Sequence, residues 1–230
     1  MWATATCCVR RWRRRSGRVA RGMSDAVLYD YWRSSASYRV RIALNLAGID
    51  YAAVVVNLLD RSHKTPEHLM RHPQGLVPVL EIDGQRFTQS LAILDYLDRT
   101  RGLGLLPEDP VRRAQMQALA YILAVDVHPV CNLSVAAHAT GNEEPARTEW
   151  MQHFIAPGLK AFETALGAFD QAPYCTGSAP TLPDLCLIPQ LYNADRWGAA
   201  YDDCARIQDV AAACADHPAF RAAHPDAVNT

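Results

Sequence analysis

The sequence predicts an α/β domain over 23–101 followed by an all-α domain over 111–230. Short β-branched and aromatic segments alternate with amphipathic helical segments in the first part of the chain, as in α/β domains. A Gly- and Pro-rich stretch, 102–110, would break any regular element and is the expected linker. Beyond it the chain is rich in Ala and Leu with helical periodicity, which indicates a helical bundle. With 230 residues, the chain can bury a substantial core.

Each element of the α/β domain has a local signal. Residues 27–32 are rich in β-branched and aromatic side chains, which predicts a strand. Val40 begins an apolar i, i+3, i+4, i+7 series that runs to Ala47, and Gly48 is suited to the helix C-terminus. Asp83-Gly84 is a type I′ hairpin signal, and Ser90 is the expected N-cap of the last helix. Two parallel strands joined by a helix, then a hairpin and a packing helix, indicate a thioredoxin-like domain. In chain order the predicted elements are strand 27–32, helix 36–47, strand 51–57, a short helix from 65, strand 75–82, strand 86–88 and a helix over 91–97.

The helical domain is predicted from apolar periodicity and one capping motif. Thr181 is the expected N-cap of a helix with Pro183 in its first turn, and Asp184 is placed to reach back to the cap. The aromatic and Met side chains of this domain are expected in its core. The periodic segments are 111–138, 146–169, 182–195 and 205–215.

Composition and charge narrow the partners. The longest apolar runs, such as 52–56, are too short to cross a bilayer, so no membrane partner is expected. Residues 1–22 hold seven arginines and no acid, and we interpret them as a disordered tail or an overlong gene start rather than a transit peptide. The remainder carries 16 basic against 24 acidic side chains, which argues against nucleic acid.

Cysteine and histidine usage indicates the compartment and bears on metal binding. The seven cysteines are odd in number and include no C-x-x-C pair, and no secretory signal precedes them. They therefore fit reduced thiols in a cytoplasmic protein. His68 and His72 lie four residues apart without the H-E-x-x-H order, so we expect a solvated helix face and no metal site.

Polar groups converge at three places in the first domain if the predicted fold is right. Ser34–Ser37 begins the first helix, where free N–H groups and the macrodipole favour an anion. Val77-Pro78 opens the third strand and would present its backbone as an extended edge if the peptide bond is cis. Gln89-Ser90 forms a second helix N-terminus. Capping explains each serine alone, but together these features suit a small peptide that carries carboxylates.

The same residues carry a resemblance to glutathione transferases. The first domain resembles their glutathione-binding domain, and the spacing of its serines and arginines resembles the zeta class. The resemblance extends over essentially all of 25–225, and it implies the glutathione transferase fold, glutathione as cofactor and a homodimer. The segments that carry it are Val27–Leu44, Gln74–Pro78, Gln89–Ile93, Asn132–Val135 and Asp184–Gln190.

The resemblance also implies roles for particular residues. Ser34 would hold the glutathione sulfur as a thiolate, since a helix N-terminus lowers a thiol pKa from about 8.5. Arg33 and Arg196 would bind the carboxylates of a small dicarboxylic keto acid, and with Ser34 they are the expected catalytic residues. The expected glutathione-binding residues are Ser34, Ser35, Ser37, Arg39, His63, Val77, Gln89, Ser90, His128, Asn132 and Ser134.

One residue departs from the family pattern. The zeta class usually reads Ser-Ser-Cys, and this chain has Ala36 at the position of the cysteine. Alanine cannot attack a substrate or hold a thiol against it. Because the essential sulfur of this family belongs to glutathione, we expect the activity to survive the replacement.

The activity implied by the resemblance is cis–trans isomerisation of maleylacetoacetate to fumarylacetoacetate in tyrosine and phenylalanine breakdown. The thiolate would add to the cis double bond and leave after rotation. Maleylpyruvate isomerases resemble the chain too, but they tend to carry additional arginine where it has Asn132-Leu133-Ser134, which favours maleylacetoacetate. A general transferase or peroxidase acting on halogenated acids is a further alternative. A noncatalytic transferase-like interaction module is the fourth.

Overall fold

The structure is a computed structural model that describes residues 26–170 and 172–229. The predicted basic extension, 1–22, and two of the cysteines, Cys7 and Cys8, lie outside the described residues. In chain order the elements are β1 Ala26–Asp30, α1 Ser35–Leu46, β2 Tyr51–Val55, a 3₁₀ turn Ser62–Lys64, α2 Pro66–Arg71, β3 Val79–Ile82, β4 Gln85–Thr88, α3 Ser90–Arg101, α4 Pro110–Tyr121, a π-helical segment Ile122–Val127, α5 His128–Val130, α6 Leu133–Thr140, α7 Ala146–Leu166, α8 Leu182–Trp197, α9 Ala205–Asp216, α10 Pro218–Ala223 and α11 Pro225–Val228.

The first part of the chain forms a four-stranded mixed sheet in the order β2-β1-β3-β4. Strand β1 runs parallel to β2, with Val27 opposite Ala52, and antiparallel to β3, with Leu28 opposite Leu80. Strands β3 and β4 form the hairpin predicted at Asp83-Gly84, where both residues have positive φ, 54° and 71°. The predicted thioredoxin-like sheet is confirmed.

A buried hydrophobic core continues from the sheet into the helices. Helix α1 packs against α3 on one side and against α8 and α10 on another, so the first domain contacts the helical one through it. The capping motif before α8 is confirmed. Asp184 is fully buried, and its Oδ2 accepts the Thr181 N–H at 2.8 Å while its Oδ1 accepts the Cys175 N–H at 2.8 Å.

Two local predictions, the Ser90 cap and the single helix over 111–138, were wrong. Gln89, with φ 66°, is the cap of α3, and Ser90 is its first residue. The Ser90 hydroxyl does not cap the helix and instead accepts a hydrogen bond from Arg39. The segment predicted as one helix over 111–138 is interrupted by the π-helical segment and by a break before α6, because Pro129 has no N–H to continue the α-helical ladder.

Two short helices near the end of the chain, α10 and α11, were not predicted. Each begins with a proline after a histidine, and the histidine Nδ1 caps the helix. His217 accepts the Ala219 N–H at 3.2 Å, and His224 accepts the Asp226 N–H at 3.3 Å. Histidine is outside the usual set of capping residues, which is why the sequence pattern gave no signal.

Within the described ranges, no single helix is both long and apolar enough to cross a bilayer. Pro110–Val130 and Leu133–Thr140, bent by 47° to each other, pass together by length and composition only.

Candidate active site

A cavity of about 400 Å³ opens between the α1 turn, the sheet and the helical domain. It is lined by ten of the thirteen predicted site residues, from both parts of the chain. Ala36 lines it too. The ten are Arg33, Ser34, Ser35, Arg39, Val77, Gln89, Ser90, His128, Asn132 and Arg196.

The serine turn leaves one hydroxyl free to donate into the cavity. Ser34 is the N-cap of α1, and its Oγ accepts the Ser37 N–H at 3.2 Å. Its own hydroxyl hydrogen is therefore available to an anion at the positive end of the helix. By contrast, the Ser35 hydroxyl donates to the carbonyl oxygen of Pro189 at 3.3 Å, across to α8.

Three predicted residues do not line the cavity, and their roles stay predictions. The Ser37 side chain is fully buried, and its hydroxyl has no hydrogen-bond partner among the described residues. Ser134 is exposed on α6, with its N–H donated to Asn132 Oδ1 at 3.4 Å. His63 lies in the 3₁₀ turn, where burial and the neighbouring Lys64 charge lower its pKa.

The segment before β3 brings backbone polar groups to the cavity wall. The Val77–Pro78 peptide bond is cis, and within the described residues neither backbone polar group of Val77 has a hydrogen-bond partner. Gly75 has φ 60°, and a Cβ there would lie 2.6 Å from the carbonyl oxygen of His63, so the chain needs glycine at this turn. Next to this segment, Gln89 Nε2 donates to Gln74 Oε1 at 3.0 Å.

Three arginines, Arg33, Arg39 and Arg196, line the cavity without a carboxylate partner in the described chain. Arg33 stacks over Trp32 at 4.5 Å and donates from Nη2 to the Tyr31 hydroxyl at 3.3 Å. Arg196 stacks over Trp197 at 4.7 Å. Burial, and next the positive charge of Arg33, lower the pKa of Arg196, so the two guanidiniums repel each other. Their arrangement suits a ligand with more than one negative charge.

His128 and Cys131 are both uncharged at neutral pH. Burial, and next the charge of Arg39, lower the pKa of His128 to about 3. Burial raises the pKa of Cys131, the cysteine that lines the described cavity, to about 11. With Ala36 in the serine turn and Cys131 protonated, the described cavity holds no thiolate of its own. Any thiolate chemistry in this cavity therefore has to come from a bound ligand.

The prediction that His68 and His72 lie on a solvated helix face was wrong. Both side chains are buried, 2% and 3% exposed, because the loop after α2 folds back over them. His68 Nε2 lies 2.8 Å from the carbonyl oxygen of Leu76, and His72 lines the cavity. The loop that carries the Gly75 turn covers this helix face. Helix periodicity alone does not include the loop, so it predicted a face exposed to solvent.

The cavity also contains residues that the sequence argument did not single out. Tyr31 follows β1, and Asn193 and Trp197 come from α8, where apolar helix periodicity had marked only core positions. Met151 comes from α7. In the sequence, Asn193 and Trp197 could have been found only because they lie close to the predicted residue Arg196.

Comparison with known proteins places the fold and the cavity in context. Residues 24–99 match the family described as Glutathione S-transferase, N-terminal domain. The maleylacetoacetate isomerase of Rhizobium meliloti (strain 1021) is 55% identical over 207 residues, which cover 88% of this chain and 97% of that protein.

Solved structures are similar over the same extent. One, of a maleylpyruvate isomerase described as a bacterial glutathione transferase of the zeta class, has a TM-score of 0.83 at 37% identity and covers 88% of this chain and 98% of its own. Another, of the maleylacetoacetate isomerase of Methylobacterium extorquens AM1 with bound malonate and glutathione, has a TM-score of 0.82 at 37% identity and covers 87% and 97%.

Proposed function

The chain belongs to the glutathione transferase family, within its zeta class of maleylacetoacetate isomerases, and from this we propose how its cavity works. It is a glutathione-dependent cis–trans isomerase that converts maleylacetoacetate to fumarylacetoacetate. When bound, glutathione would supply a thiolate whose addition makes the cis double bond single, so that rotation and loss of the thiolate re-form the double bond in the trans isomer.

The observation that carries the proposal is the convergence of two kinds of group on one cavity. The first domain contributes a free serine hydroxyl and two helix N-termini, which suit a sulfur anion and a peptide carboxylate. Arg33 and, from α8, Arg196 contribute cations without acidic partners among the described residues, which suit a dicarboxylic keto acid.

Ser34 holds the sulfur. Its Oγ already accepts the Ser37 N–H, so the hydroxyl hydrogen is directed to an anion at the α1 N-terminus. A hydrogen bond to the charged form, together with the helix end, favours the thiolate over the thiol. Lowering a thiol pKa by two units takes roughly 2.7 kcal/mol, which these two effects can supply together.

The rest of glutathione binds along the first domain. Ser90 and Gln89 bind the γ-glutamyl end at the α3 N-terminus, and Val77 pairs its free backbone groups with the cysteinyl residue. His63 reaches the glycyl carboxylate from its turn. The other predicted glutathione ligands are Ser35, Ser37, Arg39, His128, Asn132 and Ser134.

The substrate lies on the arginine side. Arg33 and Arg196 bind its carboxylates and stabilise the negative charge that develops on the keto oxygen. His128, neutral at physiological pH, takes part through a hydrogen bond rather than a charge.

The proposal is tested by an isomerase assay on purified protein with and without glutathione, on wild type and on Ser34→Ala. We expect no turnover without glutathione, and a loss of about 100-fold in kcat for Ser34→Ala, as for the removal of one hydrogen-bond donor to a reacting anion. Ser178→Ala, an exposed serine far along the chain from the turn, is the matched control. Full activity of Ser34→Ala would refute the assignment.

Substrate preference is tested with the same protein. We expect a higher kcat/KM for maleylacetoacetate than for maleylpyruvate, because Leu133 adds no cation at the cavity beside Asn132. A clear preference for maleylpyruvate would overturn this choice. Faster turnover of aryl halides than of either keto acid would favour a general transferase.

We also propose the assembly and location of the protein. Helix α4 exposes Val111 and Tyr121, which supports burial against a second copy in a homodimer. Light scattering of the purified protein tests this.

The limits 23–101 and 111–230 stay our proposal for the domains. The five described cysteines are free and buried, which supports a cytoplasmic location, tested by cell fractionation.

A further inference from the structure

Helix α1 carries two buried arginines whose environments differ completely. Arg39 and Arg41 are each 1% exposed. The Arg41 guanidinium bonds both oxygens of Asp30, at 2.9 and 2.8 Å, and its other nitrogens donate to the carbonyl oxygens of Trp32 and Ala223. Arg41 is therefore a satisfied structural ion pair.

Arg39 has no such compensation. Its Nη1 donates to the Ser90 hydroxyl at 3.2 Å, while Nε and Nη2 have no partner among the described residues. The charged or titratable groups that interact with it most are His128 and Cys186. Neither supplies a counter-charge, because burial keeps the imidazole neutral and raises the pKa of the Cys186 thiol to about 11.

A buried guanidinium without an anion is costly, so its presence calls for a ligand. Arg39 lines the cavity one helical turn after Ser35, and helical side chains lean toward the N-terminus of their helix. Its guanidinium therefore reaches the N-terminus of α3. Ser90, the group that it touches, begins α3.

We propose that Arg39 is a positioning residue that makes the α3 N-terminus a carboxylate site by acting through Ser90, and that the carboxylate is that of the γ-glutamyl residue of glutathione. The inference rests on the proposed function. Because the Ser90 Oγ accepts from Arg39, the Ser90 hydroxyl hydrogen remains available to donate to the ligand. The guanidinium polarises that hydroxyl and supplies the compensating charge.

The experiment measures glutathione affinity by calorimetry for wild type, Arg39→Met and Arg39→Lys. Two probes identify the carboxylate. One is 4-aminobutanoyl-cysteinylglycine, which lacks the γ-glutamyl carboxylate, and the other is glutathione esterified at its glycyl carboxylate. We expect wild type to prefer glutathione over the first probe by about 10- to 100-fold, the range of a hydrogen bond to a charged group.

Arg39→Met is expected to lose most of this preference and to keep the wild-type discrimination against the glycyl ester. Arg39→Lys, which keeps the charge, restores part of it. Without ligand, Arg39→Met melts at or above the wild-type temperature because an uncompensated charge has been removed, whereas a purely structural arginine would leave a less stable protein. In a Ser90→Ala background the Arg39→Met effect shrinks, because the hydroxyl through which it acts is absent.

Three outcomes overturn the inference. The first is an unchanged preference in Arg39→Met. The second is a lower melting temperature of Arg39→Met with the preference for glutathione over 4-aminobutanoyl-cysteinylglycine retained. The third is that Arg39→Met loses the discrimination against the glycyl ester instead. Each leaves the proposed function standing if wild type binds glutathione, whereas failure of wild type to bind it overturns both.

Discussion

Replacing Arg196 by Met should remove one of two substrate cations and leave glutathione binding intact. Arg196 and Arg33 line one cavity without acidic partners in the described chain, and burial and the Arg33 charge lower the Arg196 pKa. Methionine keeps the apolar stem of the side chain but not the guanidinium that stacks over Trp197. The perturbation is therefore largely electrostatic.

The expected magnitude follows from exposure. A hydrogen bond to a charged group contributes about 1.5–3 kcal/mol, and the low end applies here because Arg196 is exposed to solvent. About 1.5–2 kcal/mol corresponds to a fall of about 10- to 30-fold in kcat/KM for the dicarboxylic substrate. The fall should diminish at high salt, since screening already weakens the wild-type interaction.

The assay is steady-state isomerisation at saturating glutathione, with glutathione affinity measured separately. Arg147→Met is the matched control, because Arg147 also stacks over Trp197, at 5.0 Å, but is paired with Glu144 at 2.9 Å and does not line the cavity. We expect the control to retain kcat/KM within about twofold. Equal losses in the two variants, or a loss of glutathione affinity in Arg196→Met, would refute the reasoning.

Three further predictions concern stability. Folding lowers the pKa of His128 to about 3, so between about pH 6.5 and 3 the unfolded chain binds more protons and the free energy of unfolding falls as the pH falls. His128→Gln should therefore lose about 2 kcal/mol less stability than wild type between pH 7 and 5, measured by urea titration. The same pH dependence of stability in both proteins would contradict this. Gly158→Ala would place a Cβ 2.2 Å from Val127 Cγ2 and should cost about 1–3 kcal/mol, recovered in part by adding Val127→Ala, with no recovery counting against a local clash. Arg41→Met leaves Asp30 buried without its partner and should cost about 3–5 kcal/mol by calorimetry, a loss that Arg39→Met should not share.

The sheet could be predicted from sequence because its signals are local. The apolar strand 27–32, the Asp83-Gly84 turn and the helix between two parallel strands each depend on neighbouring residues, and their order leaves few topologies. The long helix after 110 was predicted less well. Apolar periodicity does not register the missing N–H of Pro129, which interrupts the ladder just where His128 must face the cavity.

Part of the site could be predicted as well, but only through residues at element ends. Ser34, Val77 and Ser90 stand where a helix or strand begins, so the chain topology alone brings them together. His72 lacks that advantage, since a loop decides whether it meets solvent or the cavity.

Arg39 and Arg41 mark the limit of what spacing can tell. Two residues apart on a helix, they must face nearly opposite directions, and this much the sequence gives. What each meets depends on distant segments: Asp30 lies 11 positions before Arg41, Ala223 lies 182 positions after it, and Ser90 lies 51 positions after Arg39. Arginine is therefore a member of a buried ion pair at position 41 and a cation without a carboxylate partner in the described chain at position 39. Only the cation at position 39 can contribute to anion binding.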